Sequence, residues 1–237
     1  MNQEQFVMVG MAAKALDDIE GARIRAGQRY DILTKSRDEL DEDGLSRGHG
    51  VPEDAKAAVM LRNLHESYME AEKLAVKNLE YTVKQTVFAD FIRDTKGLGM
   101  KTAGRLLACT YDPYWHYGED RPRLVSELWA YCGMSVVNGS AQKRKKGVVS
   151  NWNDDARKRL YVITDGFIKQ GAGGPYRELY DDYKAKYEPI EVDGKELFWR
   201  DEGDEPISKG HVDNRARRLM SKELLKRMWI VSRDARG

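Results

Sequence analysis

Apolar positions in the first ninety residues recur at helical spacing. Leu16, Ile19, Ile24 and Leu33 stand among strong helix formers between residues 4 and 42, which predicts one helix or two, weakened at Gly21 and Gly27. Gly44, Gly48, Gly50 and Pro52 interrupt that pattern, and Pro52 followed by Glu53 and Asp54 predicts a fresh helix start with acids at its positive end. Beyond it Leu61, Leu64, Tyr68, Ala71, Ala75 and Leu79 alternate three- and four-residue steps, the seam of a helix packed against another. The first helical region is the expected partner, giving an antiparallel helical hairpin that serves as a scaffold or as a homodimer handle.

The period stays helical further on. Val87 to Cys109 reads as helix, tight turn and helix, with Gly97 and Gly99 in the turn. Asp112, Pro113, Gly118 and Pro122 mark a loop, and Val125 to Tyr131 a short helix stopped by Gly133. Asn153 or Asp154 can cap a helix running to about Lys169, ahead of the glycine-rich run Gly171 to Gly174. In the helix expected from Tyr176 to Tyr187, the stripe Tyr176, Leu179, Tyr180, Tyr183 and Tyr187 reads as core rather than as a stacking platform. Ile190 to Arg200 fits a hairpin about Asp193-Gly194, followed by an acidic turn, Asp201 to Glu205, and a last helix from about Val212 to Val231. The predicted fold class is mainly α: a helical hairpin over 1–93, a helix-hairpin-helix domain over 94–170, and a C-terminal extension over 171–237 with a small hairpin and a basic helix.

Composition narrows the class. The 237 residues are ample for a buried core, so a disulfide scaffold is not needed, and Cys109 and Cys132, the only cysteines, read as core thiols of a reducing cytoplasm. No stretch approaches the roughly 20 apolar residues of a membrane span, and Met1 to Gly10 lacks the pattern of a signal peptide, so a soluble cytoplasmic protein is expected.

A net charge of only +1 looks unpromising for nucleic acid, yet 33% of residues are charged and their distribution decides more than their sum. Residues 138 to 160 hold seven Lys or Arg against two Asp, a net +5, and residues 209 to 236 hold nine against three acids, a net +6. The acid excess sits elsewhere, notably in Asp38 to Asp43 and Asp201 to Glu205.

Two segments carry phosphate-binding chemistry. In Lys96-Gly97-Leu98-Gly99-Met100-Lys101-Thr102 the glycines allow backbone dihedrals closed to other residues and a close approach to a phosphate, while amides at the next helix start point at the anion. Lys96 and Lys101 add charge. Such contacts hold the sugar-phosphate backbone and carry no base sequence. The run Lys143-Arg144-Lys145-Lys146, between Gly139 and Gly147, is expected to be a mobile basic loop that can follow a strand. Arg157, and Arg215 and Arg218 in the last helix, complete the candidate nucleic-acid contacts.

Read in order, Gly97-Leu98-Gly99-Met100-Lys101-Thr102-Ala103, Leu128-Trp129-Ala130-Tyr131-Cys132-Gly133-Met134, Ser140, the basic run, Gly147, and Asn153 with Arg157 and Leu160 form a series of blocks. From Lys96 to about Lys169, together with the last helix, this series resembles the C-terminal domain of the bridge-RNA-guided insertion-sequence transposases. The resemblance implies a DNA-handling domain in which the serine ahead of the basic run attacks a DNA phosphate. Ser140 matches that serine by its distance to Gly147, although Ser140-Ala141 stands where the family has Ser-Gly, and Asn138-Gly139 is an alternative aligned pair. The family's metal-bound carboxylates belong to an N-terminal RuvC-like domain, and nothing here resembles it. Asp90, Asp94 and Asp112 read as solvated or capping groups, so neither a metal nor a cofactor is expected.

The resulting expectation is a nucleic-acid-binding protein, for DNA or structured RNA, related to the transposase C-terminal domain and of phage or mobile-element origin. Two alternatives stay open. One is a serine-dependent strand-transfer enzyme that borrows its carboxylates from a partner, and the other is a helical protein-interaction adaptor.

Overall fold

A computed structural model describes residues 3–137, 139–171, 173–200 and 205–237. Of the segments singled out above, Met1, Asn138 and most of the acidic turn 201–205 lie outside the described residues. The fold is mainly α-helical, in order α1 (Gln3–Thr34), α2 (Lys56–Lys84), α3 (Ala89–Asp94), α4 (Met100–Thr110), β1 (Trp115–His116), β2 (Arg121–Pro122), α5 (Val125–Tyr131), β3 (Val136–Val137), β4 (Ser140–Ala141), α6 (Asp154–Lys169), α7 (Pro175–Lys184), β5 (Glu188–Val192), β6 (Lys195–Trp199) and α8 (Lys209–Asp234). Among the described residues the strands form three separate two-stranded antiparallel ribbons. No helix among the described residues is long and apolar enough to cross a membrane.

The chain divides into two compact units. The smaller, Met11–Thr82, is the expected helical hairpin, built from most of α1 and α2. Its seam is lined with small residues, Ala13 and Ala26 on α1 and Ala58 and Ala75 on α2, beside Leu16 and Leu79, all buried. Arg23 donates from Nε to Glu72 across the pair. Gly21 and Gly27 do not divide α1, because tertiary packing outweighs the local helix penalty of glycine, about 1 kcal/mol each. Gly27 serves the packing: a Cβ there would stand 3.2 Å from His65 Nε2. His65 thus takes the place expected of Leu64, which is 42% exposed. The second helix starts at Lys56 rather than at Pro52, whose carbonyl instead closes a turn with the Ala55 amide.

The larger unit combines residues 1–10 with 83–237. Phe6 meets Phe88 with ring centroids 6.3 Å apart, and α4 and α5 pack with α6 and α8 around Leu106, Leu107, Leu128, Leu160, Ile163, Met220 and Leu224, all fully buried. Phe167 of α6 stacks on Tyr176 of α7 at 4.4 Å. Of the tyrosine stripe, Tyr176, Tyr180 and Tyr187 are buried and hold α7 and the chain beyond it against α8. Both cysteines are thiols, but only Cys132 is core, with burial pushing its pKa up to about 12; Cys109 is half-buried. Asp112 is not solvated. It is fully buried after α4, where it accepts from the amides of Tyr114 and Trp115 and holds Arg236 at 2.7 Å and Ser232, fastening the end of α8.

Candidate nucleic-acid interface

The candidate site grows from a capping residue. Asn153 accepts from the Ala156 amide at 2.9 Å and starts α6, while its own amide donates to the Tyr131 carbonyl at 2.7 Å and its Nδ2 to the Tyr131 hydroxyl at 2.9 Å. The end of α5 and the start of α6 are thereby joined. Next to this joint Gly133, at φ +69°, lies against Trp152: a Cβ would meet its Cδ1 at 2.7 Å, so both conformation and space demand glycine. Arg157, one turn into α6, lies over the Trp152 ring at 5.3 Å and donates to the Gln142 carbonyl at 3.1 Å. The separate sequence blocks around Tyr131, Gly133, Asn153 and Arg157 are therefore one contact network.

Gln142 follows the ribbon β3–β4, in which Val136 pairs with Ala141 and Val137 with Ser140 about Gly139 at φ +73°. Ser140 is exposed on this ribbon. This hairpin was missed in the sequence, although Asn-Gly between short apolar and polar segments is a hairpin signal. Lys143 to Lys146 follow, all exposed, with Arg144 paired to Asp154 at 3.0 Å.

Between the ribbon with its basic loop on one side, and α6 and α8 on the other, runs a groove of about 1310 Å³. Lys143 and Lys145 reach it from the loop, Arg157 from α6, and Arg215, Arg217, Arg218 and Lys222 from α8. No Asp or Glu lines it among the described residues, and Ser140 does. The spacing 215, 218, 222 places three of these cations on one face of α8.

Neighbouring arginines on α8 differ sharply. Arg217 bonds Asp213 at 2.8 Å and Asp165 at 3.4 Å and lies 4.8 Å over the Tyr161 ring; burial opposes its charge, and these acids more than offset that, so its pKa is raised. Arg218 has no ion pair among the described residues, and its half-buried guanidinium is held below its ordinary pKa by burial and then by the like charges of Arg157 and Arg215. Lys222 is lowered in the same way, by burial and then by Arg218. Among the described residues, Trp152 Nε1, Arg217 Nη1, Arg218 Nε and Gln142 Oε1, all of residues lining the groove, are buried without a hydrogen-bond partner.

The helix-hairpin-helix turn is present as α3, residues 95–99 and α4, but it does not line this groove. Leu98 is buried, Lys96 is exposed with its stem along Gly174, and Lys101 and Thr102 are half-buried on the first turn of α4, where Thr102 donates to the Gly99 carbonyl at 2.9 Å. Gly97, at φ +93°, is closed off by Phe167 and Gln170, so the close approach it permits is to α6 and not to a phosphate. Gly99, at φ −80°, has only Thr102 Oγ1 near its missing Cβ and presents the open face of the turn. The turn touches α6 at Phe167, whereas the groove meets the same helix at Arg157, Tyr161 and Thr164. Arg144 and Lys146 border a second, smaller hollow, which shares Lys145 and Trp152 with the groove.

Asp90 and Asp94 are exposed partners of Arg93. Among the described residues no group of three or more His, Cys, Asp or Glu is placed to hold a metal ion. No family model, curated protein or solved structure matches this chain.

Proposed function

We propose that this protein binds nucleic acid, DNA foremost, by laying a sugar-phosphate backbone in the cationic groove between the β3–β4 ribbon and α8. The observation that carries this reading is the groove's charge: seven Lys or Arg and no described acid line it, in a chain whose net charge is +1. Concentrating like charge costs the fold self-repulsion, and polyanion binding offsets it. Two of the three aromatic residues lining the groove, Trp152 and Tyr161, already carry guanidinium groups, which favours phosphate over base stacking as the means of recognition. The transposase-like order of sequence blocks agrees with a DNA-handling domain. A pull-down on single- and double-stranded DNA and RNA, read with and without excess polyanion competitor, tests the reading; no retention of any nucleic acid at low salt would overturn it.

One observation favours a second reading, serine-dependent strand transfer: Ser140 lines the same groove as the arginines. A serine hydroxyl at its ordinary pKa is a weak nucleophile and needs a base and charge stabilisation on the phosphate. The arginines can stabilise charge, and the base would come from a partner protein.

A further inference from the structure

We propose that Arg157, Arg218 and Lys222 form a discrete seat for one phosphate group at the floor of the groove, distinct from the diffuse attraction of the basic loop. The proposal rests on the nucleic-acid reading for its natural ligand, either a strand's internal phosphodiester or a terminal phosphate, but the seat itself is a property of the side chains. Two of the three are held by neutral groups, Arg157 by the Gln142 carbonyl and the Trp152 ring and Lys222 by the Trp129 ring at 4.9 Å, and Arg218 is half-buried beside them. None of the three forms an ion pair among the described residues, in contrast with Arg217 beside them. Arg215 adds charge from the next turn of α8. Other arginines of this unit do pair with a carboxylate, as Arg177 does with Asp181 and Arg227 with Glu223. A cluster of cations that repel one another and share a groove lined by no described carboxylate is complementary to an oxyanion, and guanidinium forks match phosphate geometry.

Loop and seat are separable because the loop charges are exposed and solvated, whereas the seat is partly desolvated and pre-positioned. The seat is therefore expected to take free phosphate, and the loop is not.

The test follows thermal unfolding in a titration of inorganic phosphate against potassium chloride at matched ionic strength, for the wild type, Arg218→Met, Lys222→Met, and a variant with Lys143, Arg144, Lys145 and Lys146 all changed to alanine. Wild type and loop variant should gain roughly 2–4 °C over the chloride control, while Arg218→Met and Lys222→Met should gain nothing. Without phosphate, Arg218→Met should unfold at the wild-type temperature or above, since a repelling charge is removed, and this also shows that it folds. A phosphate response equal to that of chloride, or one kept by Arg218→Met or lost in the loop variant, would overturn the seat. In parallel, oligonucleotides with a 5′-phosphate and a 5′-hydroxyl compete with inorganic phosphate: preference for the former assigns a terminal phosphate, and equal competition an internal one. If phosphate binds and no oligonucleotide does, the seat stands and the nucleic-acid reading fails. If oligonucleotides bind wild type and Arg218→Met alike, the nucleic-acid reading stands and the seat fails.

Discussion

Gly97 lies against Phe167 so closely that a Cβ on it would come within 2.8 Å of Cδ1 of the ring. The turn between α3 and α4 is thus a packing joint with α6 before it is anything else. Because Gly97 also has φ +93°, Gly97→Ala combines left-handed strain of about 1–2 kcal/mol with a collision against a buried ring. The expected loss is roughly 2–4 kcal/mol, read as a fall of roughly 5–10 °C in unfolding temperature. Gly99→Ala, at φ −80° with open space beside it, should unfold within about 2 °C of wild type. Equal unfolding temperatures for the two variants would remove the joint.

Acid should weaken the entry to α5. Arg121, and then the Leu124 amide at 2.7 Å, hold the Glu127 carboxylate at a pKa of about 2, below its ordinary 4.5. A lowered pKa contributes stability that is complete above pH 4.5 and is lost as pH falls toward 2. Glu127→Gln should therefore unfold at a lower temperature than wild type at pH 7, and the gap should close between pH 4.5 and 2; a gap independent of pH would show that the carboxylate charge is not what matters.

Much of the helical scaffold was legible because local chemistry agreed with tertiary structure. Val125–Tyr131 appears with the expected bounds, α6 starts beyond the Asn153 cap, and Asp193-Gly194, both with positive φ, close the β5–β6 hairpin. Other features were set by contacts distant in sequence. His65 replaces Leu64 in the seam because Gly27, 38 positions earlier, leaves room for an imidazole. Asp112 is buried because Ser232 and Arg236 come back to it. The groove was legible only as two basic segments: that Arg218 joins Arg157 away from acids, while Arg217 turns to Asp213 and Asp165, depends on how α8 is rotated against α6.

The basic loop is expected to set the salt dependence. Lys143 and Lys145 line the groove, whereas Arg144 is engaged by Asp154, so Lys143→Ala with Lys145→Ala should flatten the plot of log affinity against log salt. Each lost phosphate contact lowers the slope by roughly 0.9 on duplex DNA. Arg144→Ala with Lys146→Ala should change it less. Equal effects of the two pairs would mean that the loop acts as a diffuse charge.

Ser140 separates binding from chemistry. Ser140→Ala should leave affinity within about twofold, since one exposed hydroxyl adds little to a backbone grip. The isolated protein should neither nick supercoiled plasmid nor form a protein-DNA adduct, with or without magnesium or manganese. An adduct formed by wild type and absent from Ser140→Ala would establish the strand-transfer reading.

Fluorescence anisotropy of labelled single- and double-stranded DNA and RNA, titrated at several salt concentrations with wild type and Arg218→Met, tests the groove most directly. The account predicts wild-type binding that weakens steeply with salt, little dependence on base sequence, and at least tenfold weaker binding by the folded Arg218→Met variant. No binding at low salt, about 50 mM, would contradict it, and binding unchanged by Arg218→Met would remove the phosphate seat while leaving nucleic-acid binding in place.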